Sequence, residues 1–439
     1  MRGILTGIVA AFIVALAAPI GVGAEFDVPA GFEDRLEVGG LGAPTALAWL
    51  PETPEQGDLL IATQGGHLYR SPAPGEKAEI LDLSEDLCVG SETGLLGLAV
   101  DPAFRSGDRF LYLYYTFRKP SGACVNRVSK FTMNEQDVVG NEQVLIDNIP
   151  ARGGNHNGGD LQFDHDGLLY VSVGDGGVDL RTGASQDGNG NARRLDLLNG
   201  KILRIARDGS VPASNPFRGK RSVRCAKSGQ APSRARAAHV DQEKKPKKGK
   251  PHKRKGRGAL RCQEIFATGL RNPFRIAFDD SDTQGAQRFY INDVGGSGFE
   301  EIDVGQRGAD YGWNRREGPC PTGQIANDCR ADSDFVEPLF AYGHGHGSDA
   351  VDDCNVITGG AFAPSGGDWP ADYLFADFGC ERLFALDERA DPVQATVFAE
   401  GIGSSSGATH LAFGTDGALY YATSAAGGQV RKIVDLPPG

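Results

Sequence analysis

The sequence lacks the short motifs that mark several common enzyme classes. It contains no C-x-x-C pair and no G-x-x-x-x-G-K-[ST] phosphate-binding loop, and it has no G-x-G-x-x-G dinucleotide fingerprint. These absences argue against a zinc or thioredoxin-like dithiol site and against nicotinamide cofactors. Methionine is scarce, at 2 residues, whereas glycine reaches 62 of the 439 residues.

The abundance of glycine comes with many short apolar runs, which predicts turns and strands instead of a helix bundle. Hydrophobic residues make up 40% of the chain, which is enough for a real core and excludes global disorder. The length exceeds that of a usual domain, but closed all-β architectures of this size form one domain. We therefore expect a single all-β domain over residues 25–439.

Residues 1–24 have the pattern of a secretory signal peptide. Arg2 precedes the apolar stretch ILTGIVAAFIVALAAPI, and Val22-Gly23-Ala24 forms a small-residue cleavage site. The mature chain is then expected to begin at Glu25. The alternative is an uncleaved membrane anchor, because the apolar stretch is close to the lower length limit for a spanning helix. The pattern predicts a secreted, periplasmic or cell-envelope protein.

All eight cysteines follow the cleavage site, and an even count in an exported chain predicts disulfides. Pairing in sequence order is the simplest arrangement, although the sequence does not decide the connectivity. In that arrangement Cys225 is joined to Cys262.

Charge is distributed unevenly along the chain. The net charge of −12 argues against nucleic acid as a main partner. Residues 218–261, however, hold 17 Lys and Arg against 2 Asp and Glu, a local charge of +15. This basic segment has few apolar residues, so we expect a disordered insertion. It is either a tolerated insertion without a task or a tether to an anionic cell-envelope polymer.

A unit consisting of a strand, a tight turn and a strand recurs six times. Asp166-Gly167 and Asp416-Gly417 are hairpin dipeptides of two such units. Several strands per repeat, at intervals of roughly 50 residues or more, indicate β-propeller blades. We therefore predict a six-bladed β-propeller of four-stranded antiparallel blades; a β-sandwich is the alternative. The units begin at Thr45, Gly94, Gly159, Phe274, Gly359 and Thr409.

Two clusters carry side chains suited to catalysis. His156 lies between two asparagines in GGNHNGGD, just before a predicted strand, and its ordinary pKa suits a general base. A turn histidine with local hydrogen bonds is the alternative. Arg271, in GLRNP, offers a planar cation for a carboxylate or a quinone oxygen. A salt-bridged arginine at a blade edge is equally compatible with the sequence.

Two further clusters could hold a cation. Residues 295–303, GGSGFEEID, offer backbone carbonyls and carboxylates, which are ligands that Ca²⁺ accepts, although a polar hairpin loop is the simpler interpretation. His344 and His346, in GHGHG, are spaced so that both side chains lie on one side of an extended chain. No third ligand is evident nearby, so a flexible loop is favoured there.

In combination and order, these segments resemble the soluble quinoprotein glucose/sorbosone dehydrogenases, also called aldose sugar dehydrogenases. The resemblance extends from about residue 31 to residue 433. It implies a six-bladed β-propeller that uses pyrroloquinoline quinone (PQQ) and Ca²⁺ to oxidise aldose sugars, with electrons passed to an external acceptor. The segments that carry it include GLLGLAVDPAF, NHNGGDLQFDHDGLLYVSVGDGG, GLRNPFRIAFD and NDVGGSGFEEIDVGQRGADYGW.

The same resemblance assigns roles to individual residues. The family's catalytic base falls on His156 and its quinone-activating arginine on Arg271. Asn272 falls at the cofactor, and Glu92 and Asn155 fall near the sugar.

For metal, the carbonyls of Gly295 and Gly296 fall where the family holds the Ca²⁺ that bridges to PQQ. Glu301, with the Tyr311-Gly312-Trp313 turn, falls in a region that holds a second, structural Ca²⁺ in some members.

The chain departs from the family pattern in its last blades. Family members use basic residues there to grip the carboxylates of PQQ, but this chain has FGCERL around Gly379 and SSSGATHL around Gly407. The nearest cation, Arg382, does not align cleanly. The resemblance also extends to hedgehog-interacting-protein-like propellers, so a non-enzymatic module that binds a glycan or a protein is the alternative function.

Overall fold

The structure is a computed structural model, and it covers most of the region after the expected cleavage site. The predicted signal peptide and its cleavage site lie outside the described residues. The structure describes residues 27–51, 57–232, 260–282, 287–326, 329–345, 351, 353–403 and 407–437.

Six four-stranded antiparallel sheets are arranged in a ring, which confirms the predicted six-bladed β-propeller. Each of the six repeated units supplies the first hairpin of one blade. Blade 1 contains β2 (Pro44–Trp49), β3 (Leu59–Thr63), β4 (His67–Ser71) and β5 (Ala78–Asp82). Blade 2 contains β6 (Leu95–Val100), β7 (Phe110–Arg118), β8 (Cys124–Met133) and β9 (Val139–Pro150). Blade 3 contains β10 (Leu161–Phe163), β11 (Leu168–Val173), β12 (Lys201–Ala206) and β15 (Ile265–Thr268).

The remaining blades follow the same order, except that the last one takes its outer strand from the beginning of the chain. Blade 4 contains β16 (Pro273–Phe278), β17 (Phe289–Asp293), β18 (Phe299–Val304) and β21 (Phe340–Gly343). Blade 5 contains β22 (Ile357–Phe362), β23 (Tyr373–Asp377), β24 (Arg382–Asp387) and β25 (Gln394–Ala399). Blade 6 contains β26 (His410–Phe413), β27 (Leu419–Thr423), β28 (Gln429–Asp435) and β1 (Phe32–Gly39).

Short elements decorate the loops between these strands. Two pairs of two-residue strands are β13 (Ser222–Val223) with β14 (Arg261–Cys262), and β19 (Arg316–Glu317) with β20 (Cys320–Pro321). The 3₁₀ turns are Ser84–Asp86, Phe104–Ser106, Gln186–Gly188, Asn191–Arg193 and Ala425–Gly427. Among the described residues, no helix is long and apolar enough to cross a membrane.

The core consists of apolar layers between neighbouring blades. Leu60 and Ala62 of blade 1, for example, pack with Leu111 and Leu113 of blade 2 in one buried cluster. The first strands of neighbouring blades adjoin around the ring, and β26 contacts β2. Because each blade is covered on both faces, long stretches of the inner strands are apolar without alternation.

The disulfides follow sequence order, as expected. They join Cys88 to Cys124, Cys225 to Cys262, Cys320 to Cys329 and Cys354 to Cys380. No described cysteine is free.

The insertion expected at residues 218–261 is shorter than predicted, because both of its ends belong to the folded part of the chain. Residues 218–232 and 260–261 belong to the described structure, and Cys225, Ala226 and Ala231 are buried in the core between blades 2 and 3. The buried Glu264 carboxylate accepts hydrogen bonds from the backbone amides of Cys225 and Ala226. The apolar cysteine and alanines and these amide contacts anchor the ends of the segment, and residues 233–259 lie outside the described residues.

Pairing of β1 with β28 closes the ring. Asp34 on β1 accepts hydrogen bonds from the Arg431 guanidinium and, at 2.8 Å, from the Tyr421 hydroxyl. Both ends of the Asp34–Arg431 pair are largely buried, with side chains 5% and 14% exposed. A partly desolvated ion pair therefore ties β1 to β28.

We predict that Asp34→Asn lowers the free energy of unfolding by about 3 kcal/mol, because it removes the charge from one side of a largely buried ion pair. Glu33→Gln is the matched control, since Glu33 pairs with Arg35 at the exposed surface of the same strand and such pairs contribute about 0–1 kcal/mol. Chemical denaturation of both variants measures the difference. Equal effects of the two substitutions would contradict the role given to the closure pair.

Candidate functional site

His156 forms a buried pair with Asp175. The Nδ1 atom of His156 lies 2.8 Å from Oδ1 of Asp175, and both side chains are buried. His156 adopts a left-handed conformation, with φ of 52°, which is uncommon for a residue other than glycine. Gly174 makes this packing possible, because a Cβ at that position would clash with the His156 carbonyl. The carboxylate therefore holds the imidazole by Nδ1, and Nε2 makes no hydrogen bond to a described residue.

Trp313 links this pair to Arg271. Its indole Nε1 donates to Oδ2 of Asp175 at 2.9 Å, and the Arg271 guanidinium carbon lies 5.5 Å from the ring centroid. The far edge of the ring is 3.3 Å from the position that a Cβ on Gly296 would occupy. The indole is thus a common wall for the histidine pair, the arginine and the Gly295-Gly296 loop.

Arg271 and Asn272 are positioned through their backbone. Asp293, at the end of β17, accepts the Arg271 amide at 2.8 Å and the Asn272 amide at 2.6 Å. The Arg271 guanidinium donates to the Val294 carbonyl and, at 3.3 Å, to the Gln186 side chain. It forms no ion pair with a described carboxylate, so the salt-bridged alternative is not what the fold contains. Its buried Nε has no hydrogen-bond partner among the described residues.

Glu92 joins blades 2, 3 and 4. Its Oε2 accepts the Asn157 amide at 3.3 Å and the Asn272 side chain at 3.1 Å. Asn272 in turn accepts the amide of Gly158 through Oδ1 at 3.0 Å. Glu92, His156 and the Arg271-Asn272 pair come from three distant parts of the sequence and lie in one connected network.

Asn155, the other predicted sugar contact, packs beside this network. Its Oδ1 lies against the backbone of Gly177, immediately after the Asp175 turn. No hydrogen bond from its side chain to a described residue accompanies that contact.

The Gly295-Gly296 loop is held by two buried glutamates. Glu300 accepts the Gly295 amide at 3.2 Å, and Oε1 of Glu317 accepts the amides of Gly296 at 2.7 Å and Gly298 at 2.8 Å. A Cβ on Gly295 would clash with the Phe299 carbonyl, so glycine is required for this close approach. These three amides are thus occupied, whereas no described residue donates a hydrogen bond to the carbonyl of Gly295 or Gly296.

Three buried carboxylates lie together beneath this loop. Asp293, Glu301 and Asp303 bring ligand oxygens within 4.8 Å of one another, a grouping that could hold a metal ion. Neither oxygen of Asp303 has a hydrogen-bond partner among the described residues. Burial raises the pKa of Asp293 to about 7, and burial with mutual repulsion raises the pKa of Glu301 and Asp303 well above their usual range. Such a group needs either protons or a cation.

Of the two histidines of GHGHG, only His344 lies among the described residues. His344 donates or accepts through Nε2 at 2.7 Å from Glu300, and its side chain is only 18% exposed, so it is packed against the loop and is not part of a flexible one. Burial lowers the pKa of His344, but the hydrogen bond to Glu300 and the charges of Glu300 and the neighbouring carboxylates together raise it above its usual value. His346 lies outside the described residues.

Arg382, the nearest cation to the departure in the late blades, is engaged elsewhere. Its Nε lies 2.9 Å from Glu400, so it pairs within blade 5. The structure therefore engages this cation in an ion pair of its own blade.

The sequence motifs did not identify several residues that build the candidate site. Asp175 stands in VGDGG directly after β11, and an acidic residue at a strand end could have been paired with His156. Trp313 was associated only with a structural cation, and Asp293 and Glu317 carried no motif signal. Their roles depend on contacts between loops that are distant in the chain.

Comparison with known proteins identifies the family of this chain. The Glucose / Sorbosone dehydrogenase family model matches residues 41–226 and 238–432, and the chain belongs to this family. Among curated relatives, the Escherichia coli aldose sugar dehydrogenase YliI is 26% identical over 62% of this chain and 59% of its own length. The mouse Hedgehog-interacting protein is 28% identical over 52% of this chain and 28% of its own length.

The fold has solved counterparts. The PQQ-bound aldose sugar dehydrogenase of Streptomyces coelicolor superposes with a TM-score of 0.64 at 23% identity, covering 93% of this chain and 99% of that chain. The chain spans about half the length of the curated Arabidopsis thaliana relatives HIPL2 and HIPL1, at 46% and 51%.

We predict that calcium-free protein loses stability as pH rises from about 4 to about 7. The buried carboxyls have raised pKa values, so the folded state binds more protons than the unfolded state in this range, and stability falls on the order of 1.4 kcal/mol per pKa unit. Thermal melts across this range, with chelator or with excess Ca²⁺, measure the effect. Ca²⁺ should remove most of the loss, because it replaces the protons.

Asp303→Asn is the control for that prediction. Removing one of the three charges should raise the melting temperature of calcium-free protein at pH 8 and flatten its pH dependence. A pH dependence that is the same in the variant and the parent would show that other groups cause it.

Proposed function

We propose that this protein is an exported quinoprotein oxidoreductase that oxidises the C1 hydroxyl of aldose sugars to lactones, using PQQ and Ca²⁺. The observation that carries the proposal is the buried His156–Asp175 pair, joined through Trp313 to Arg271. Membership of the Glucose / Sorbosone dehydrogenase family supports the reaction class. Four disulfides support export, since such bonds persist in oxidising compartments.

The base in this proposal is His156. With Nδ1–H donated to Asp175, Nε2 has the lone pair that removes the proton from the sugar C1 hydroxyl. Asp175 keeps the ring oriented and stabilises the imidazolium that forms. Trp313, by donating to the second oxygen of Asp175, keeps that carboxylate in place.

The residues present fit the two bound groups. The buried Nε of Arg271 has no hydrogen-bond partner among the described residues, and the backbone carbonyls of Gly295 and Gly296 are ligands of the kind that a hard cation takes. Bound PQQ supplies the two-electron acceptor, which Ca²⁺ polarises, and an external acceptor later takes the electrons. Arg271 and Asn272 would hold PQQ, the carbonyls of Gly295 and Gly296 would bind Ca²⁺ beside it, and Glu301 with its two acidic neighbours would bind a second Ca²⁺.

Glu92 and Asn155 are the proposed sugar contacts. Oε2 of Glu92 is occupied by Asn157 and Asn272, whereas its Oε1 has no hydrogen-bond partner among the described residues. Glu92 is only partly buried, so this oxygen can accept a sugar hydroxyl. The side chain thereby connects the sugar to Asn272 at the cofactor.

A second candidate function is a non-enzymatic propeller that binds a glycan or a protein partner. It is favoured by the engagement of Arg382 with Glu400, which leaves the carboxylates of PQQ without that cation, and by the similarity to the Hedgehog-interacting protein. The enzyme is preferred because a buried histidine–carboxylate pair, beside an arginine that forms no ion pair with a described carboxylate, has no evident use in a binding module.

We predict that purified protein reconstituted with PQQ and Ca²⁺ reduces an artificial electron acceptor when an aldose is added. His156→Ala should lower turnover roughly 10²–10⁴-fold, because a positioned base contributes that much. Asp175→Asn should lower turnover as well, since it disturbs the tautomer of His156. Acceptor bleaching and lactone formation measure the rates.

His165→Ala is the matched control, because His165 lies on the exposed β10–β11 turn of the same blade. It should retain the parent rate, and all three variants should bind PQQ alike. An inactive parent that still binds a glycan favours the second candidate, and near-parent turnover in His156→Ala would refute the assigned base.

The basic segment is the proposed site of attachment to an anionic cell-envelope polymer. Residues 233–259 hold 11 of its 17 Lys and Arg. Because the ends of the segment are anchored by Cys225–Cys262, the loop can be changed without changing its closure.

We predict that replacing residues 233–259 by an equally long Gly-Ser segment abolishes retention on an anionic resin at low salt. Retention of the parent should fall steeply with added salt, since summed surface contacts are screened. The melting temperature and the sugar oxidation rate should stay at the parent values. A variant that remains bound to the resin would rule out this segment as the tether.

A further inference from the structure

The Glu317 carboxylate accepts several backbone amides of the Gly295-Gly296 loop and the residues that follow it. Its Oε1 accepts three amides, from Gly296 at 2.7 Å, Gly298 at 2.8 Å and Phe299 at 3.1 Å. The side chain is only 2% exposed, and Oε2 is buried without a hydrogen-bond partner among the described residues.

The three amide bonds to Glu317 also determine where the carbonyls of the preceding residues point. In a trans peptide the C=O of one residue points opposite to the N–H of the next. Because the Gly296 N–H points at Glu317, the Gly295 carbonyl points away from it. The Gly298 N–H likewise turns the Ser297 carbonyl away from Glu317.

A second carboxylate acts on the preceding peptide. Glu300 accepts the Gly295 amide at 3.2 Å, and the carbonyl of that peptide, on Val294, accepts the Arg271 guanidinium at 3.0 Å. The orientation of the loop is therefore coupled to the position of Arg271. Glu300 is compensated by His344, whereas Glu317 has no cationic partner within ion-pair distance among the described residues.

Glu317 is itself firmly placed. It lies on β19, whose partner strand β20 begins at Cys320, and Cys320 is joined to Cys329. The neighbouring Arg316 is tied to Glu337 at 3.2 Å. The carboxylate is thus presented to the loop by a short hairpin whose second strand carries a disulfide.

We propose that Glu317 is the positioning residue of the calcium site at Gly295 and Gly296: it turns the Gly295 carbonyl toward the cation and supplies the buried negative charge that favours it. This inference rests on the proposed function, because the cation concerned is the one beside PQQ. Glu317 acts through the loop, since the carbonyls that it orients point away from it. Residues that orient metal ligands in this way typically change metal affinity by roughly 10–100-fold when they are substituted.

The test is the calcium dependence of PQQ binding, followed by PQQ absorbance or fluorescence without sugar or electron acceptor. In Glu317→Gln the side chain keeps an acceptor oxygen but loses its charge, and the calcium concentration for half-maximal PQQ binding should rise roughly 10–100-fold. Glu317→Asp keeps the charge but is one methylene shorter, so it should also raise that concentration. Circular dichroism at the assay temperature identifies which variants are folded, and the aspartate variant decides the question if the glutamine variant is not.

Two controls separate this role from general effects. Glu337→Gln removes a carboxylate from the same region that contacts Arg316 and the Asp332 amide instead of the loop, and it should bind PQQ at the parent calcium concentration. Asp303→Asn perturbs the neighbouring acidic group and should alter calcium-dependent stability more than calcium-dependent PQQ binding.

The outcomes distinguish the two levels of the proposal. A parent protein that binds PQQ only with Ca²⁺, with Glu317→Gln and Glu317→Asp requiring more Ca²⁺, supports the positioning role. Variants that melt earlier but keep the parent calcium requirement show that Glu317 is only structural and overturn the inference. A parent that binds no PQQ at any calcium concentration refutes the proposed function, and the inference falls with it.

Discussion

Buried carboxylates that accept backbone amides hold the candidate site together. Asp293 takes the amides of Arg271 and Asn272, Glu317 takes three amides of the 296–299 stretch, and Oδ1 of Asp175 takes the Gly177 amide besides contacting His156. Each of these bonds is charge-assisted and shielded from water, so it fixes loop backbone more firmly than a neutral contact. Without them the glycine-rich loops would have little reason to keep one conformation.

The use of buried carboxylates as amide acceptors concentrates acidic side chains in blade 4. Asp293, Glu301 and Asp303 are close together and buried, and their raised pKa values express the cost of ionising them without a counter-charge. A hard cation relieves that cost and accepts the same oxygen ligands. The electrostatics of this group therefore leave two ways to balance its charge, protons or a cation, independently of the family resemblance.

The propeller makes the arrangement possible because it places loops from different blades around one axis. Glu92 precedes β6, His156 precedes β10, Arg271 precedes β16 and Gly295 follows β17. Antiparallel blades return the chain to the same side of the ring at each inner strand, so these loops converge although they are separated by up to about two hundred residues. Closure of the ring by β1 and β28 keeps the blades at fixed angles, and thereby keeps the loops in register.

The sequence by itself determined the number of blades and marked His156, Arg271 and the Gly295-Gly296 loop as candidates, whereas Asn272 came from the family resemblance and the cysteine pairing was only the simplest arrangement. These features are local: hairpin dipeptides, alternating apolar runs and glycine-flanked polar residues carry their own signal. Asp175 as the partner of His156, Trp313 as the shared wall and Glu317 as the loop acceptor were decided only by the tertiary structure. The anchored ends of the basic segment were also decided there, because burial of Cys225 and Ala226 depends on the blades that cover them. A hydrogen bond between loops of different blades depends on angles and distances across the ring, and no periodicity along the chain encodes them.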